Sequence, residues 1–472
     1  MGNIKIRHKG IEITKDKPFE NCRLKRTEDA ERINKIIENS EGGFTLAING
    51  EWGVGKTTFL KMWEADLKSK EYTTIYLNAW EHDISSEPLI CILGELCKLL
   101  DKKNLDIKKR LMSNAKYFSK KTLPIVFNGL TSHFLGNEAG DKIKDFIEAV
   151  TNGSRDNYFD QEISDYESRT DNITELKKTL EEAVEKVCNG KRLIFIVDEL
   201  DRCRPDFAVE ILEKIKHLFS VKNVVFVLSI DKIQLGYSIQ GHYGSDKINA
   251  QEYLRRFIDI EYNLNVPHIE DFVDYLYDYY NFDSFIKSND RKNLSAFSED
   301  KDNLLQIAHT LVKGKQLTLR KVDKMFAYMR LALLTYQSNQ YLISDVLLLV
   351  VYLKLYDDDV YQNIKTKKYS LDELSNKLDD LLEGSLINGD NTSEAGYSWT
   401  LFLNLYNKGL LSIKKFVNLM DEIKQDKISI KSKYISNEEL IRLIQNSFNA
   451  STSVRGLNLD FIIRHVEMTS GM

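Results

Sequence analysis

Between residues 44 and 264, short continuous apolar runs alternate with stretches in which apolar positions recur every third or fourth residue. The runs Phe44 to Asn49, Thr74 to Leu77, Leu193 to Val197, Val224 to Leu228 and Phe257 to Leu264 have strand length and predict buried strands. Leu176, Leu180, Val184 and Val187 fall at helical spacing, and Asn189-Gly190 can stop that helix. Phe207, Ile211, Leu212, Ile215, Leu218 and Phe219 mark a further helix, with Pro205 near its first turn. Strands taken in turn with helices predict an α/β fold, a parallel sheet with helices on both faces.

The pattern changes at Pro267, the last of five prolines. From there on, no proline interrupts a sequence rich in Leu, Ile, Tyr, Lys and Asp, which predicts an all-α C-terminal domain. The expected division is 1–264 and 265–472, and a chain of 472 residues exceeds the size at which one hydrophobic core stops growing. Between the second and third strands lies a charged insertion, about 101–172. Its first part is basic, from Lys102 to Lys121, and its later part acidic, from Asp156 to Asp171. The longest apolar runs, Val346 to Leu353 and Leu123 to Phe127, fall far short of the roughly 20 residues that cross a bilayer.

The chemistry concentrates where the first strand gives way to a helix. Gly50-Glu51-Trp52-Gly53-Val54-Gly55-Lys56-Thr57 is a complete G-x-x-x-x-G-K-[ST] loop, and Thr58 opens the apolar-faced helix behind it. In such a loop the glycines turn backbone N–H groups toward a polyphosphate. Lys56 reaches its β- and γ-phosphates, and the Thr57 hydroxyl ligates Mg²⁺. The third strand delivers Asp198 and Glu199 to its C-terminal end, where ligands bind in open α/β sheets. Asp198 suits Mg²⁺ held through water, and Glu199 suits deprotonation of an attacking water.

Phosphoryl transfer needs further positive charge, for which Arg255 and Arg256 ahead of the fifth strand and Arg320 beyond it are the candidates. Arg202 and Arg204 are expected to brace the loop after Glu199. Ser229, with Asp231 second, stands at the end of the fourth strand, where a polar residue can sense the γ-phosphate. Trp52 and Trp80 are expected to serve packing. The eight histidines and five cysteines form no zinc pattern, and no G-x-S-x-G elbow is present.

Taken together, Gly50 to Thr58, Leu77-Asn78-Ala79-Trp80-Glu81, Val197-Asp198-Glu199-Leu200-Asp201-Arg202-Cys203, Val225 to Asp231 and Tyr253-Leu254-Arg255-Arg256-Phe257 resemble the KAP family of P-loop NTPases. The resemblance covers about residues 15 to 330. It implies a sheet in which another strand separates the Asp198 strand from the phosphate-loop strand, followed by a helical lid. It also implies Arg256 as an arginine finger, Arg320 as a lid arginine, and Phe19 to Arg26 as a segment enclosing the adenine. Many relatives carry transmembrane helices where this chain carries 101–172, whose apolar run is too short to match. Bacterial relatives look like phage-exclusion and other defence proteins.

The leading expectation is therefore a cytoplasmic, Mg²⁺-dependent ATPase acting as a nucleotide-controlled switch or assembly factor in antiviral defence, working as a homo-oligomer or with an effector protein and without a membrane anchor. A scaffold that binds ATP without hydrolysing it is the second reading. A nucleic-acid-stimulated motor is the third, favoured by the basic segment and opposed by a net charge of -5.

Overall fold

The apolar runs form one parallel sheet in the computed structural model, which describes residues 11–84, 87–100, 104–115, 174–188, 190–218, 221–264, 269–292, 299–387, 392–425, 428–452 and 457–467. Its strands are β1 (Phe44–Asn49), β2 (Thr73–Asn78), β3 (Leu193–Asp198), β4 (Val224–Ile230) and β5 (Ile260–Asn263), in the order β2-β3-β4-β1-β5. Strand β4 thus separates β3 from β1, the arrangement the family resemblance implies, with every neighbouring pair parallel.

Every residue of β3 and β4 is buried, which is why these runs read as continuous apolar stretches rather than alternating ones. Alternate side chains go to opposite layers. Phe195, Val197, Phe226 and Leu228 pack with the helices Pro88–Leu99, Pro205–Leu218 and 174–188. Ile194, Ile196, Val225, Val227, Leu46 and Ile48 pack with α1 (Thr27–Asn39) and α2 (Lys56–Ser69). Helices therefore cover both faces, and the α2 layer is the one beneath the phosphate loop.

The fifth strand is shorter than its apolar run. Residues 255–257 form a turn behind the short helix Ala250–Leu254, with Arg256 N–H donating to the Tyr253 carbonyl and Phe257 N–H to that of Leu254. Phe257 is apolar because it packs into the core from that turn, not because it belongs to the strand. Strand β4 runs on through Ser229 to Ile230, so Ser229 lies inside the strand, and Asp231 caps the next helix, Lys232–Tyr243.

The chain divides into two compact units, one spanning Ile11–Val266 and the other including Pro267–Met472. The second unit is helical wherever it is described as regular. Its central helix, Ser344–Tyr356, is buried from Ser344 through Leu353, so the apolar run Val346 to Leu353 is the inside of a bundle. Asp300–Lys315 and Leu371–Ile387 belong to the same bundle, as does Thr392–Leu410. Among the described residues no helix is long and apolar enough to cross a membrane. Of the insertion, residues 104–115 are described and carry the helix Leu105–Ala115; the apolar run Leu123 to Phe127 and the acidic part lie outside the described residues.

Candidate functional site

The phosphate loop links the end of β1 to the start of α2, and its glycines answer two different demands. Gly53 and Gly55 have φ of 91° and 90°, the left-handed region that a side chain strains. Gly50 is needed for closeness, since a Cβ there would meet Val54 Cγ2 at 3.0 Å. The first-turn N–H groups of α2 have no partners within the helix, and together with the helix dipole they form an anion-binding end.

The Lys56 ammonium donates to the Gly50 carbonyl at 2.5 Å and to the Glu51 carbonyl at 3.3 Å. Burial lowers its pKa, against the opposing pull of Asp201, Asp231 and Asp198. A partly desolvated ammonium above an open helix N-terminus suits a polyphosphate.

Asp198 closes β3 and is 1% exposed. Its Oδ1 accepts from the Glu199 N–H at 2.9 Å and its Oδ2 from the Tyr76 hydroxyl at 2.6 Å. Burial, and then the Asp198 charge, raise the Tyr76 pKa, which keeps that hydroxyl a donor. Glu199 has a φ of 61°, a left-handed conformation that costs a non-glycine residue on the order of 1–3 kcal/mol and that collects at functional sites. Its Oε1 pairs with Arg202 Nη1 at 2.9 Å, and the Arg202 guanidinium sits 5.9 Å from the centre of the Trp80 ring. Arg204 donates from its backbone N–H and from Nε to the Asp83 carboxylate, each at 2.9 Å. Both arginines brace this loop, as their sequence positions predict.

The residue that ties these parts together is one that the sequence shows within the Val197 to Cys203 match, without its bracing role. Asp201 is 5% exposed, and its Oδ2 accepts from the Trp52 indole N–H at 2.8 Å and from the Asp231 N–H at 2.7 Å. The same oxygen lies 3.9 Å from Lys56 Nζ. One carboxylate therefore joins the phosphate loop, the segment after β3 and the end of β4. Burial raises its pKa, opposed by Lys56 and by the Trp52 bond. Asp201→Ala is expected to cost about 1–3 kcal/mol by stranding the buried Asp231 N–H, whereas Asp201→Asn keeps an acceptor oxygen and most of the stability. Denaturant unfolding of the two variants checks this ordering.

A second brace also escaped the sequence. Arg26, 2% exposed, donates from Nη2 to the Val54 carbonyl at 3.1 Å and from Nη1 to Asp29 at 3.0 Å. Asp29 in turn accepts from the Tyr262 hydroxyl at 2.6 Å. Phe19, in the same N-terminal segment, packs on Phe59 of α2 with ring centres 6.5 Å apart.

The remaining candidates fall in three places. Ser229 is fully buried in register with Ile48 of β1, and its hydroxyl has no hydrogen-bond partner among the described residues, an orphan polar atom on the α2 side of the sheet. Arg256 is exposed in the turn before β5 and makes no ion pair among the described residues, whereas Arg255 pairs with Glu252. Arg320 is exposed near the start of the helix Leu319–Ala332, in the second unit. Trp52 and Trp80 correct the packing expectation, being 42% and 51% exposed.

Thr57 and Thr58 lie in the first turn of α2, half-buried. Among the described residues no three His, Cys, Asp or Glu side chains gather as a metal site. Mg²⁺ bound with a nucleotide takes only one or two protein oxygens, with phosphate and water completing its shell. Thr57 and Asp198 are the residues that fit this role.

No curated protein matches the chain. Among solved structures it is similar to the ORC2 protein of Aeropyrum pernix, solved as ADPNP-ADP complexes, at 14% identity and a TM-score of 0.28 over 91% of this chain and 95% of that one. The sequence profile described as the KAP family P-loop domain matches residues 26–453, nearly the whole chain, and the protein belongs to the KAP family of P-loop NTPases.

Proposed function

We propose that the chain is a Mg²⁺-dependent ATPase whose nucleotide state drives assembly or a conformational switch. The observation that carries this reading is the meeting of three elements at one sheet edge: the Gly50–Thr57 loop, the Asp198-Glu199 pair, and the Asp201 carboxylate that links them. In this reading Gly50, Glu51, Trp52, Gly53, Val54, Gly55, Lys56, Thr57 and Thr58 surround the phosphates. Mg²⁺, held by Thr57 and Asp198, would neutralise charge on the β- and γ-phosphates. Glu199 accepts a proton from water after parting from Arg202, and Ser229 turns its orphan hydroxyl toward the γ-phosphate.

Arg256, which makes no ion pair among the described residues, serves a neighbouring subunit's nucleotide, while Arg320 is the alternative within one chain. The family resemblance supports a role in bacterial antiviral defence, in the cytoplasm, with a second copy or an effector protein as partner.

The test is hydrolysis itself. Purified protein is expected to release phosphate from ATP with Mg²⁺ and to stop when EDTA removes the metal, while its mass in solution changes with ATP. Mixing Arg256→Ala with Lys56→Ala then addresses sharing of the site, because an exchanging oligomer can pair the intact pocket of one with the intact arginine of the other. Activity returning in the mixture supports a shared site. No return despite subunit exchange transfers the role to Arg320, and no hydrolysis by the wild type leaves the non-hydrolysing scaffold as the better account.

A further inference from the structure

Among the described residues, every exposed large apolar side chain of the second unit falls within one stretch of six residues: Leu411 is 66% exposed, Ile413 43% and Phe416 38%. Apolar residues scattered singly over a surface need no explanation, but three gathered at one point do. Each residue from 411 to 416 is exposed, so the stretch is a projecting tip rather than a groove.

The fold sets this tip on a firm base. The helix Thr392–Leu410 ends at it, Leu411–Ile413 adds a single 3-10 turn, and Lys414, with a φ of 56°, turns the chain. Buried Asn407 closes the loop, donating from Nδ2 to the Val417 carbonyl at 2.6 Å and accepting from the Val417 N–H at 3.0 Å. The Tyr406 hydroxyl donates to the Tyr369 carbonyl at 2.9 Å, and Lys367 Nζ to Ser412 Oγ at 3.2 Å, which ties the tip to the turn behind the helix Asp358–Lys365.

Charge decides what covers it. The two adjoining segments, 363–369 and 407–420, hold Lys365, Lys367, Lys368, Lys408, Lys414 and Lys415 and contain no Asp or Glu. Glu467 and Asp460 pair with Lys365 and Lys367. Lys368, Lys414 and Lys415 are exposed and make no ion pair among the described residues. Glu373 stands within the field of Lys415, its carboxyl held below its ordinary pKa first by hydrogen bonds from Ser370 and then by that lysine. An apolar tip flanked by ammonium groups matches the surface of an anionic bilayer, whose acyl boundary takes the apolar side chains while its headgroups attract the lysines. A protein partner would need a pocket shaped to the tip with acidic groups around it, whereas a lipid surface has both chemistries and no contour to match.

We propose that the 411–416 loop docks the second unit on an anionic lipid surface, with Leu411, Ile413 and Phe416 entering the boundary between headgroups and acyl chains and Lys368, Lys414 and Lys415 meeting lipid phosphates. Attachment of this kind is reversible and needs no spanning helix. It is independent of the nucleotide chemistry, so it stands or falls without it.

Co-sedimentation of the full chain with lipid vesicles tests the assignment. The wild type is expected to bind phosphatidylcholine vesicles that contain phosphatidylglycerol, to be released as NaCl is raised, and to ignore pure phosphatidylcholine. The double variants Leu411→Ser, Phe416→Ser and Lys414→Gln, Lys415→Gln are each expected to lose at least about tenfold in apparent affinity. Both alter only exposed side chains, and unfolding curves establish that they are intact. Failure of the wild type to bind anionic vesicles overturns the proposal, as does equal binding to neutral ones or wild-type affinity in either folded variant. Self-association that the serine variant abolishes, without vesicle binding, assigns the loop to a second copy and likewise overturns it.

Discussion

Lys56→Ala is expected to abolish tight binding of ATP. The ammonium it removes lies beside the open N-terminus of α2, held by the Gly50 and Glu51 carbonyls. Those carbonyls are weak partners for a cation that burial already disfavours. A triphosphate offers several negative oxygens in their place, so Lys56 gains more from the ligand than it gives up. Losing one partner of a desolvated charge pair costs about 2–5 kcal/mol, roughly a 30-fold to several-thousand-fold fall in affinity. Equilibrium titration with a fluorescent ATP analogue measures it, with unfolding curves to establish that the variant is intact. Affinity unchanged in a folded variant would remove the phosphate loop from the account altogether.

That lysine and its loop were readable in the sequence because their signal is local: eight consecutive residues between an apolar run and an amphipathic one. The same holds for β1 to β4 and for the pair Asp198 and Glu199, which a single buried strand carries to its end. The brace around them was not readable. Asp201 receives the Trp52 indole across 149 positions, and Arg26 reaches Val54 across 28, so neither pairing leaves a periodic trace. Exposure misled in the opposite direction. Trp52 and Trp80 read as packing residues because tryptophan usually is, yet one hydrogen-bonds through its edge and the other stands beside a guanidinium.

At β5 the apolar run was longer than the strand, since Phe257 packs inward from a turn and looks like a strand residue in one dimension. In the second unit the missing prolines foretold helices but not a cavity of about 710 Å³ among them. Its walls come from Glu299 to Asp345 and from Glu394 to Asn446, and only the bundle brings those segments together.

Glu199→Gln is expected to bind ATP as the wild type does and to hydrolyse it at least about 100-fold more slowly. The substitution is nearly isosteric, and its carboxamide oxygen can still accept from Arg202, so the brace after β3 persists while the base is lost. The left-handed backbone at this position is equally strained for Gln and Glu, which removes a conformational explanation for any loss. The opposite error is also controlled. Asp198 keeps its bonds from the Glu199 N–H and from Tyr76, neither of which involves the exchanged side chain, so the proposed metal-binding oxygens stay where they were. A fall in turnover with ATP affinity preserved therefore reports proton transfer. Single-turnover hydrolysis beside an equilibrium ATP titration separates the two quantities. Near-normal turnover would move the base to Asp201, the other carboxylate at this edge. That carboxylate is already committed to Trp52 and the Asp231 N–H, and its reassignment would require those bonds to open in the ATP-bound state.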